Sequence, residues 1–223
     1  MSFEEIFDLR VSSGKIALVW FNSYSGIIIK TPITTLIFDP VRIRLEEYIQ
    51  ADVIVVTHEH LDHFDPELVS GLQKKTNATI LTTPFVAQRL RGEKTKALKV
   101  GDSFAFKDVE LHAERCDHPA KQPLSFITST KDGITVYHPS DSDPFPEMAE
   151  LEKKYKPDIL LYLGTSLVNA AQIAKLVKPQ VAVSCYTDME SGRKFIEAMR
   201  REAPKTQAKM VRRFEIYQYP EAD

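Results

Sequence analysis

The chain has 223 residues, 43% of them hydrophobic and 27% charged, with a formal net charge of −2, which gives no reason to expect a nucleic-acid or membrane partner. No apolar run approaches the roughly 18 residues of a spanning helix, and the acidic start M-S-F-E-E-I-F-D lacks the basic and apolar regions of a signal peptide. Two cysteines do not make a disulfide framework, so we expect a cytoplasmic protein.

Strands dominate the first part of the predicted element order. The pattern predicts strands over residues 15–21, 26–30, 35–38, 53–56 and 79–82, helices over 66–75 and 84–90, and turns at 92–95 and 101–102. Four strands follow, over 103–106, 109–114, 124–128 and 134–138. The K-D-G triplet between the last two strands is typical of a hairpin turn.

Strands and helices alternate in the remainder. We predict helices over residues 145–155, 168–178 and 190–202, strands over 158–163 and 181–185, and one or two edge strands within 209–219. Runs such as V-I-V-V and D-I-L-L-Y-L are apolar throughout, which indicates burial on both faces. Buried strands flanked by helices favour a layered αβ architecture. Because no linker or repeat divides the chain, we predict one domain over residues 1–223.

Residues of ligand type lie at or shortly after several predicted strands. These residues are Asp39, His58, Asp141 and Cys185. Since the strand ends of open layered sheets are where sites are assembled, we predict one composite site at one edge of the sheets.

The segment T-H-E-H-L-D-H places three of the six histidines of the chain within six positions. It follows the apolar run 53–56 and precedes D-P-E, which is typical of a helix start. His58 and His60 project to the same side of an extended chain. With His63 and Asp62 nearby, the segment predicts a site for a divalent transition metal.

This motif and its flanks resemble the metallo-β-lactamase superfamily. The similar segments include W-F-N-S-Y-S-G-I-I-I-K, L-I-F-D-P, Y-H-P-S-D-S-D-P and V-K-P-Q-V-A-V-S-C-Y, so the resemblance covers residues 15–190. They look like the branch that contains L-ascorbate-6-phosphate lactonase and uncharacterised metal-dependent hydrolases. The resemblance implies an α+β fold, a four-layer αβ/βα sandwich of two mixed sheets flanked by helices, with metals at the sheet edge.

The resemblance also implies a ligand set. The predicted ligands are His58, His60, Asp62, His63, His118, Asp141 and Cys185. The first two histidines and His118 would bind one metal, Asp62 and His63 would bind the other, and Asp141 would bridge the two.

Two of these assignments have alternatives. His118 is favoured over His112, because His112 lies inside the strand alternation V-E-L-H-A. Cys185 stands where related sequences carry a histidine, and a thiolate is a competent zinc ligand. The alternatives at this position are a buried apolar cysteine, or Tyr186 or Asp188 as the ligand.

The implied function is a metal-dependent hydrolase. Two cations about 3.5 to 4 Å apart hold a water and lower its pKa toward neutrality. The hydroxide then attacks a small ester, lactone or phosphoester, and Asp62 orients the water and accepts its proton. We expect one or two divalent transition-metal ions, with zinc favoured and manganese or iron as alternatives, and a small-molecule substrate.

Two other functions stay open. A nuclease or phosphodiesterase of the same superfamily is disfavoured by the balanced charge and by the lack of a basic stripe. A non-catalytic protein with a decayed second metal site is suggested by Cys185. Related sequences often carry W-x-G-H where this chain has Asn22-Ser23, which weakens any transfer of a substrate. The oligomeric state is left open.

Overall fold

A computed structural model describes residues 3–48, 50–90, 94–162, 166–185 and 188–221. The strands in chain order are β1 (Ile16–Trp20), β2 (Ile27–Lys30), β3 (Thr35–Phe38), β4 (Val53–Val56), β5 (Thr79–Thr82), β6 (Thr95–Ala97), β7 (Ser103–Phe106), β8 (Val109–Arg115), β9 (Leu124–Thr130), β10 (Thr135–His138), β11 (Ile159–Tyr162), β12 (Val181–Cys185), β13 (Gln207–Val211) and β14 (Tyr217–Tyr219). The α-helices are α1 (Phe3–Asp8), α2 (Pro66–Thr76), α3 (Pro84–Ala87), α4 (Ala149–Tyr155), α5 (Leu167–Val177) and α6 (Met189–Glu202). None of these described helices is both long and apolar enough to cross a membrane.

The strands form two seven-stranded mixed sheets. The first has the order β14-β1-β2-β3-β4-β5-β6 and the second β13-β12-β11-β10-β9-β8-β7. In the first sheet, β3 to β6 pair in parallel and the other pairs are antiparallel. In the second sheet, β10 to β13 pair in parallel and β7 to β10 are antiparallel.

Three apolar cores hold the layers together. Trp20, Phe38 and Phe126 belong to the core between the two sheets. A second core joins the outer face of the first sheet to α1, α2 and α3, and a third joins the outer face of the second sheet to α4, α5 and α6. The predicted four-layer αβ/βα sandwich is therefore confirmed.

The topology brings polar strand ends to one edge of the sandwich. Because β3 and β4 are parallel, Asp39 and His58, which follow them, lie at the same edge. The carboxyl ends of β8 and β10 also share an edge, since both strands pair antiparallel with β9. The two sheets meet there, where the N–H of Leu124 donates to the carbonyl of Thr57 at 3.1 Å.

The helix predicted after the histidine segment begins as expected. Asp65 Oδ1 accepts the N–H groups of Glu67 and Leu68 at 3.0 and 3.1 Å, and Pro66 is the first helical residue. Asn77 ends α2 in a left-handed conformation. The chain therefore leaves the histidine segment in a direction set by local hydrogen bonds.

Three predictions of local structure need correction. The turn predicted over residues 92–95 is wrong at Thr95, which begins the polar edge strand β6, while residues 91–93 lie outside the described residues. The helix α1 was not predicted, because six residues are too few to show a periodicity and its stability comes from burying Phe3, Ile6 and Phe7. The helix predicted from residue 145 begins as the 3₁₀ turn Pro146–Met148.

Candidate metal centre

Potential metal-donor atoms meet at the edge of the sandwich described above. In each of two groups of side chains, one ligand atom per residue lies within 4.8 Å of the others. The first group is His58, His60 and His118, and the second group is His58, His63 and Asp141. Because His58 belongs to both, the two groups adjoin.

His58 offers a donor atom without a partner. Its side chain is buried after β4, and its Nδ1 lies 3.1 Å from Thr57 Oγ1 and 3.4 Å from Ser140 Oγ. Its Nε2 is buried and has no hydrogen-bond partner among the described residues. Burial, with the nearby charge of His63, lowers the pKa of His58 to about 3, so the ring is neutral near pH 7. A neutral, orphaned imidazole nitrogen fits a metal ligand.

His60 and His118 complete the first group. His60 Nδ1 and His118 Nε2 lie 3.1 Å apart, and the ring centroids of the three histidines are 4.6 to 5.0 Å from one another. The two loops are fastened by Glu59, whose carboxylate accepts the N–H of Lys121 at 2.8 and 3.0 Å. Three imidazoles that converge on one point form a donor set found in catalytic zinc sites.

His63 lies between two carboxylates. Its Nδ1 is 2.8 Å from Asp39 Oδ2, and its Nε2 is 3.1 Å from Asp141 Oδ2. Burial acts to lower the pKa of His63, but the two carboxylates outweigh it and raise that pKa to about 10. The Asp39 contact holds a proton on Nδ1 and leaves Nε2 facing Asp141 within the second group, as in carboxylate–histidine–metal arrangements.

Asp141 reaches both groups with one oxygen. Its Oδ2 lies 3.1 Å from His63 Nε2 and 3.9 Å from His118 Nε2. Burial acts to raise the pKa of Asp141, but the hydrogen bond with His63 and the nearby histidine charges lower it to about 2. An ionised carboxylate therefore lies between His63 of the second group and His118 of the first group. The resemblance predicted a bridging ligand at this residue.

Asp62 faces a cavity of about 320 Å³ that opens onto the two groups. Its side chain is 50% exposed, and its Oδ2 lies 3.9 Å from His63 Nε2. Its backbone carbonyl accepts the hydroxyl of Ser25 at 3.1 Å, which fastens the loop to the cavity wall. The carboxylate is therefore accessible to a molecule in the cavity, unlike the buried His58 and His63.

A tight turn over residues 21–26 forms part of the cavity wall. Asn22 Oδ1 accepts the N–H groups of Tyr24 and Gly26 at 3.0 and 2.9 Å, and Asn22 Nδ2 donates to the carbonyl of Val41 at 3.0 Å. A Cβ on Gly26 would lie 2.3 Å from Asn22 Nδ2, so the turn requires glycine there. The asparagine that departs from the related W-x-G-H segment thus shapes the turn that presents residues 23–25 to the cavity.

Cys185, at the end of β12, belongs to neither ligand group. Its side chain packs against the core between the sheets, and burial raises the pKa of its thiol to about 11 despite the opposing charge of Arg213. Of the alternatives, Asp188 uses its carboxylate to cap α6 by accepting two N–H groups at 2.9 Å, and Tyr186 lies outside the described residues. The ligand role of Cys185 stays a prediction.

The structure separates the two candidate histidines of the second sheet. His112 lies on the outer face of that sheet, where its ring centroid is 5.0 Å from that of Tyr155 and its Nε2 is 3.8 Å from Glu110. It takes part in neither ligand group, whereas His118 stands beside His60.

The sequence assigned no role to two residues that support the site. Asp39 was noted only as a strand-end residue, yet it also accepts the N–H and hydroxyl of Thr57 at 2.8 and 2.9 Å. His138 is buried, stacks on Phe38 at 4.7 Å, and accepts the N–H of Ser140 at Nδ1. Its Nε2 has no partner within the described part of the chain. Both residues lie beside sequence motifs, but the sequence did not reveal which side chains they contact.

Comparisons with known proteins agree with this fold. A family model described as a beta-lactamase superfamily domain matches residues 18–186. A UPF0173 metal-dependent hydrolase from Caldivirga maquilingensis is 26% identical over 153 residues, which cover 63% of this chain and 66% of the relative. The chain thus spans just under two thirds of the length of that relative.

Solved structures resemble the whole sandwich. Igni18, a metallo hydrolase from Ignicoccus hospitalis, matches with a TM-score of 0.77 and 19% identity, over 93% of this chain and 100% of that chain. The metallo-beta-lactamase fold protein YhfI from Bacillus subtilis matches with a TM-score of 0.71 and 12% identity, over 92% and 99%. At these identities the likeness concerns the fold alone. Because the family model covers most of the chain and the fold agrees, this protein belongs to the metallo-β-lactamase superfamily.

Proposed function

We propose that this protein is a metal-dependent hydrolase that binds two divalent cations and acts on a small ester, lactone or phosphoester. The observation that carries the proposal is the buried His58 Nε2, which has no partner among the described residues and lies where the two ligand groups adjoin. The relative named as a metal-dependent hydrolase supports the reaction class.

The ligand groups suggest how two cations would be shared. The three imidazoles of the first group would hold one cation, and His63 with Asp62 would hold the other. Asp141 would lie between them, because its Oδ2 approaches a histidine of each set. Cys185 is the further ligand proposed for the second cation.

The side chains of the site have distinct tasks in this proposal. Bound cations would supply Lewis acidity, which polarises a carbonyl or phosphoryl oxygen and acidifies water. Asp62 would accept the proton of the attacking water, because its carboxylate is half exposed at the cavity. Asp39 would hold the His63 ring in the orientation that its ligand role requires.

The donor set favours zinc, with manganese and iron as alternatives. Imidazole and carboxylate groups suit all three metals, and a thiolate from Cys185 would favour zinc further. Metal analysis of protein purified without chelators is expected to find one to two transition ions per chain. The proposal would be contradicted if the purified protein contained no transition metal and also failed to retain cations that were added to it.

The cavity favours a small molecule over a nucleic acid. Its volume is about 320 Å³, and the described residues that line it include no lysine or arginine. A nucleic-acid substrate needs cations along its phosphate backbone. In a panel of esters, lactones, phosphodiesters and single-stranded RNA, we expect turnover of the small substrates only. Turnover of RNA alone would favour the nuclease alternative instead.

The binding of the second cation is tested by substituting Cys185. If the thiolate is a ligand, Cys185→Ser binds one cation per chain fewer than the parent protein, while Cys116→Ser, which changes the other free cysteine, keeps the parent value. Two retained cations in Cys185→Ser would assign the thiol to core packing. One cation per chain in the parent protein, without turnover of any substrate, would favour the non-catalytic alternative. The cytoplasmic location stays a prediction, and the oligomeric state stays open.

A further inference from the structure

A second concavity lies beside the metal-binding loop. It has a volume of about 650 Å³ and runs between the segment 41–45 and the segment 61–68. We call it the Leu61 groove, and its apolar lining consists of Val41, Ile43, Leu45, Leu61, Phe64 and Leu68. Leu61, which lies between the candidate ligands His60 and Asp62, is 78% exposed.

Two of the charged groups of the groove are already bound within the chain. The carboxylate of Asp65 caps α2 by accepting the N–H groups of Glu67 and Leu68. The guanidinium of Arg44 pairs with Glu47 at 3.4 Å. Arg42 and Glu67 also line the groove, so its surface combines the hydrocarbon of the apolar side chains with one further charge of each sign.

The groove lies next to the cavity at the candidate metal centre. Leu61 lines the groove, and the next residue, Asp62, lines the cavity. The walls of the two concavities are also neighbours where the guanidinium of Arg42, which lines the groove, lies 5.9 Å from the ring centroid of Tyr24, which lines the cavity. A ligand whose reacting bond lies at Asp62 is therefore one residue away from the wall of the groove.

We propose that the Leu61 groove binds an uncharged alkyl or aryl group of the substrate. The inference rests on the proposed hydrolase function and narrows its substrate class to esters, lactones or phosphoesters that carry an apolar substituent. The driving force is the burial of the exposed Leu61 side chain and of the substituent against each other. Because the charged side chains that line the groove are of both signs, they select neither an anionic nor a cationic end group, and the apolar side chains favour a hydrocarbon one.

The first test is the dependence of KM on chain length in a series of 4-nitrophenyl esters from acetate to octanoate. KM is expected to fall roughly two- to four-fold for each added methylene until the groove is filled. Leu61→Ser and Leu68→Ser should flatten this dependence. Ile33→Ser, which changes an apolar side chain of similar exposure at the opposite edge of the first sheet, should keep it. A KM that is independent of chain length in the parent protein would overturn the proposal.

Leu68→Ser separates the groove from the ligand loop. Leu61 lies between His60 and Asp62, so a change there can disturb cation binding, whereas Leu68 lies on α2. The cation content of both variants is measured first. If only Leu61→Ser flattens the dependence, and it has also lost cations, the groove is not the cause and the inference is wrong.

A binding experiment distinguishes failure of the groove from failure of the hydrolase proposal. n-Octanol is titrated into methyl-labelled protein, and shifts are expected at the methyl signals of Leu61 and Leu68 but not at those of Ile33. Octanol binding without turnover of any ester, lactone or phosphoester would retain the groove and contradict the hydrolase. Turnover of the short esters without octanol binding would retain the hydrolase proposal and contradict the groove. Sedimentation that shows a dimer broken by Leu61→Ser would assign the groove to an interface between copies and overturn the proposal.

Discussion

His63 Nδ1 lies 2.8 Å from Asp39 Oδ2, and both side chains are almost wholly buried. This contact joins the end of β3 to the loop that follows β4. A buried carboxylate that accepts a hydrogen bond from one ring nitrogen determines which nitrogen is left to bind a metal. The position of His63 in the site therefore depends on a residue that is not itself in either ligand group.

Asp39→Asn is expected to weaken the binding of the second cation by about 10- to 100-fold, because a neutral amide no longer holds the His63 ring as a charged carboxylate does. Isothermal titration of the metal-free protein measures this affinity. Asp52→Asn is the matched control, since Asp52 accepts Lys107 Nζ at 2.6 Å and the N–H of Thr35 at 2.8 Å near the opposite ends of the same strands. Equal cation affinities in the two variants would show that Asp39 has no positioning role.

Cation binding is expected to release a proton from His63. The pKa of His63 in the metal-free protein is raised to about 10, so the ring carries a proton at pH 7.5, and a cation must displace it from Nε2. Apparent affinity should therefore rise with pH, by up to about ten-fold per unit, until pH approaches 10. Titrations at pH 7.5 in two buffers with different ionisation enthalpies measure the released proton. Identical binding heats in both buffers would contradict the prediction.

Asp62→Ala is expected to reduce kcat by about 10²- to 10⁴-fold on the best substrate of the panel, because the variant lacks the proposed proton acceptor. Since Asp62 is 50% exposed, the fold should survive, which circular dichroism checks. Asp143→Asn is the control. Asp143 lines the same cavity and accepts the amide of Asn169 at 2.6 Å, but it belongs to neither ligand group. A similar loss of kcat in both variants would contradict the assignment of Asp62 as the proton acceptor.

In the metal-free protein, His138→Phe is expected to reduce the loss of folding stability at acidic pH. Burial lowers the pKa of His138 to about 4 from its usual 6.5. As pH falls below 6.5, the unfolded chain takes up a proton that the folded chain does not, so stability is lost progressively until pH approaches 4.

The measurement is the free energy of unfolding by urea at pH 7.5 and at pH 5 in the presence of a chelator. The parent protein should lose about 2 kcal/mol more between these pH values than His138→Phe does. Comparing the two pH values cancels any packing effect of the phenyl ring against Phe38. An equal loss in both proteins would show that His138 takes up no proton on unfolding in this range.

The local sequence determined much of the fold and part of the candidate site. Strands β3, β4, β5 and β12 have the predicted bounds, and α2 begins at the predicted Pro66. The order of ligand types in T-H-E-H-L-D-H was also readable, because the spacing within a short loop is set by the chain itself. These features depend on neighbours only a few residues away, so the sequence alone is sufficient to predict them.

Only the tertiary structure decided which distant residues meet. His118 rather than His112 stands beside His60, Asp39 contacts His63, and Cys185 packs, partly buried, against the core between the sheets. These contacts join residues far apart in the chain, and they follow from the register and direction of neighbouring strands. A one-residue change of register would shift the loops that follow the strands relative to one another, which is why composition and spacing do not determine these contacts.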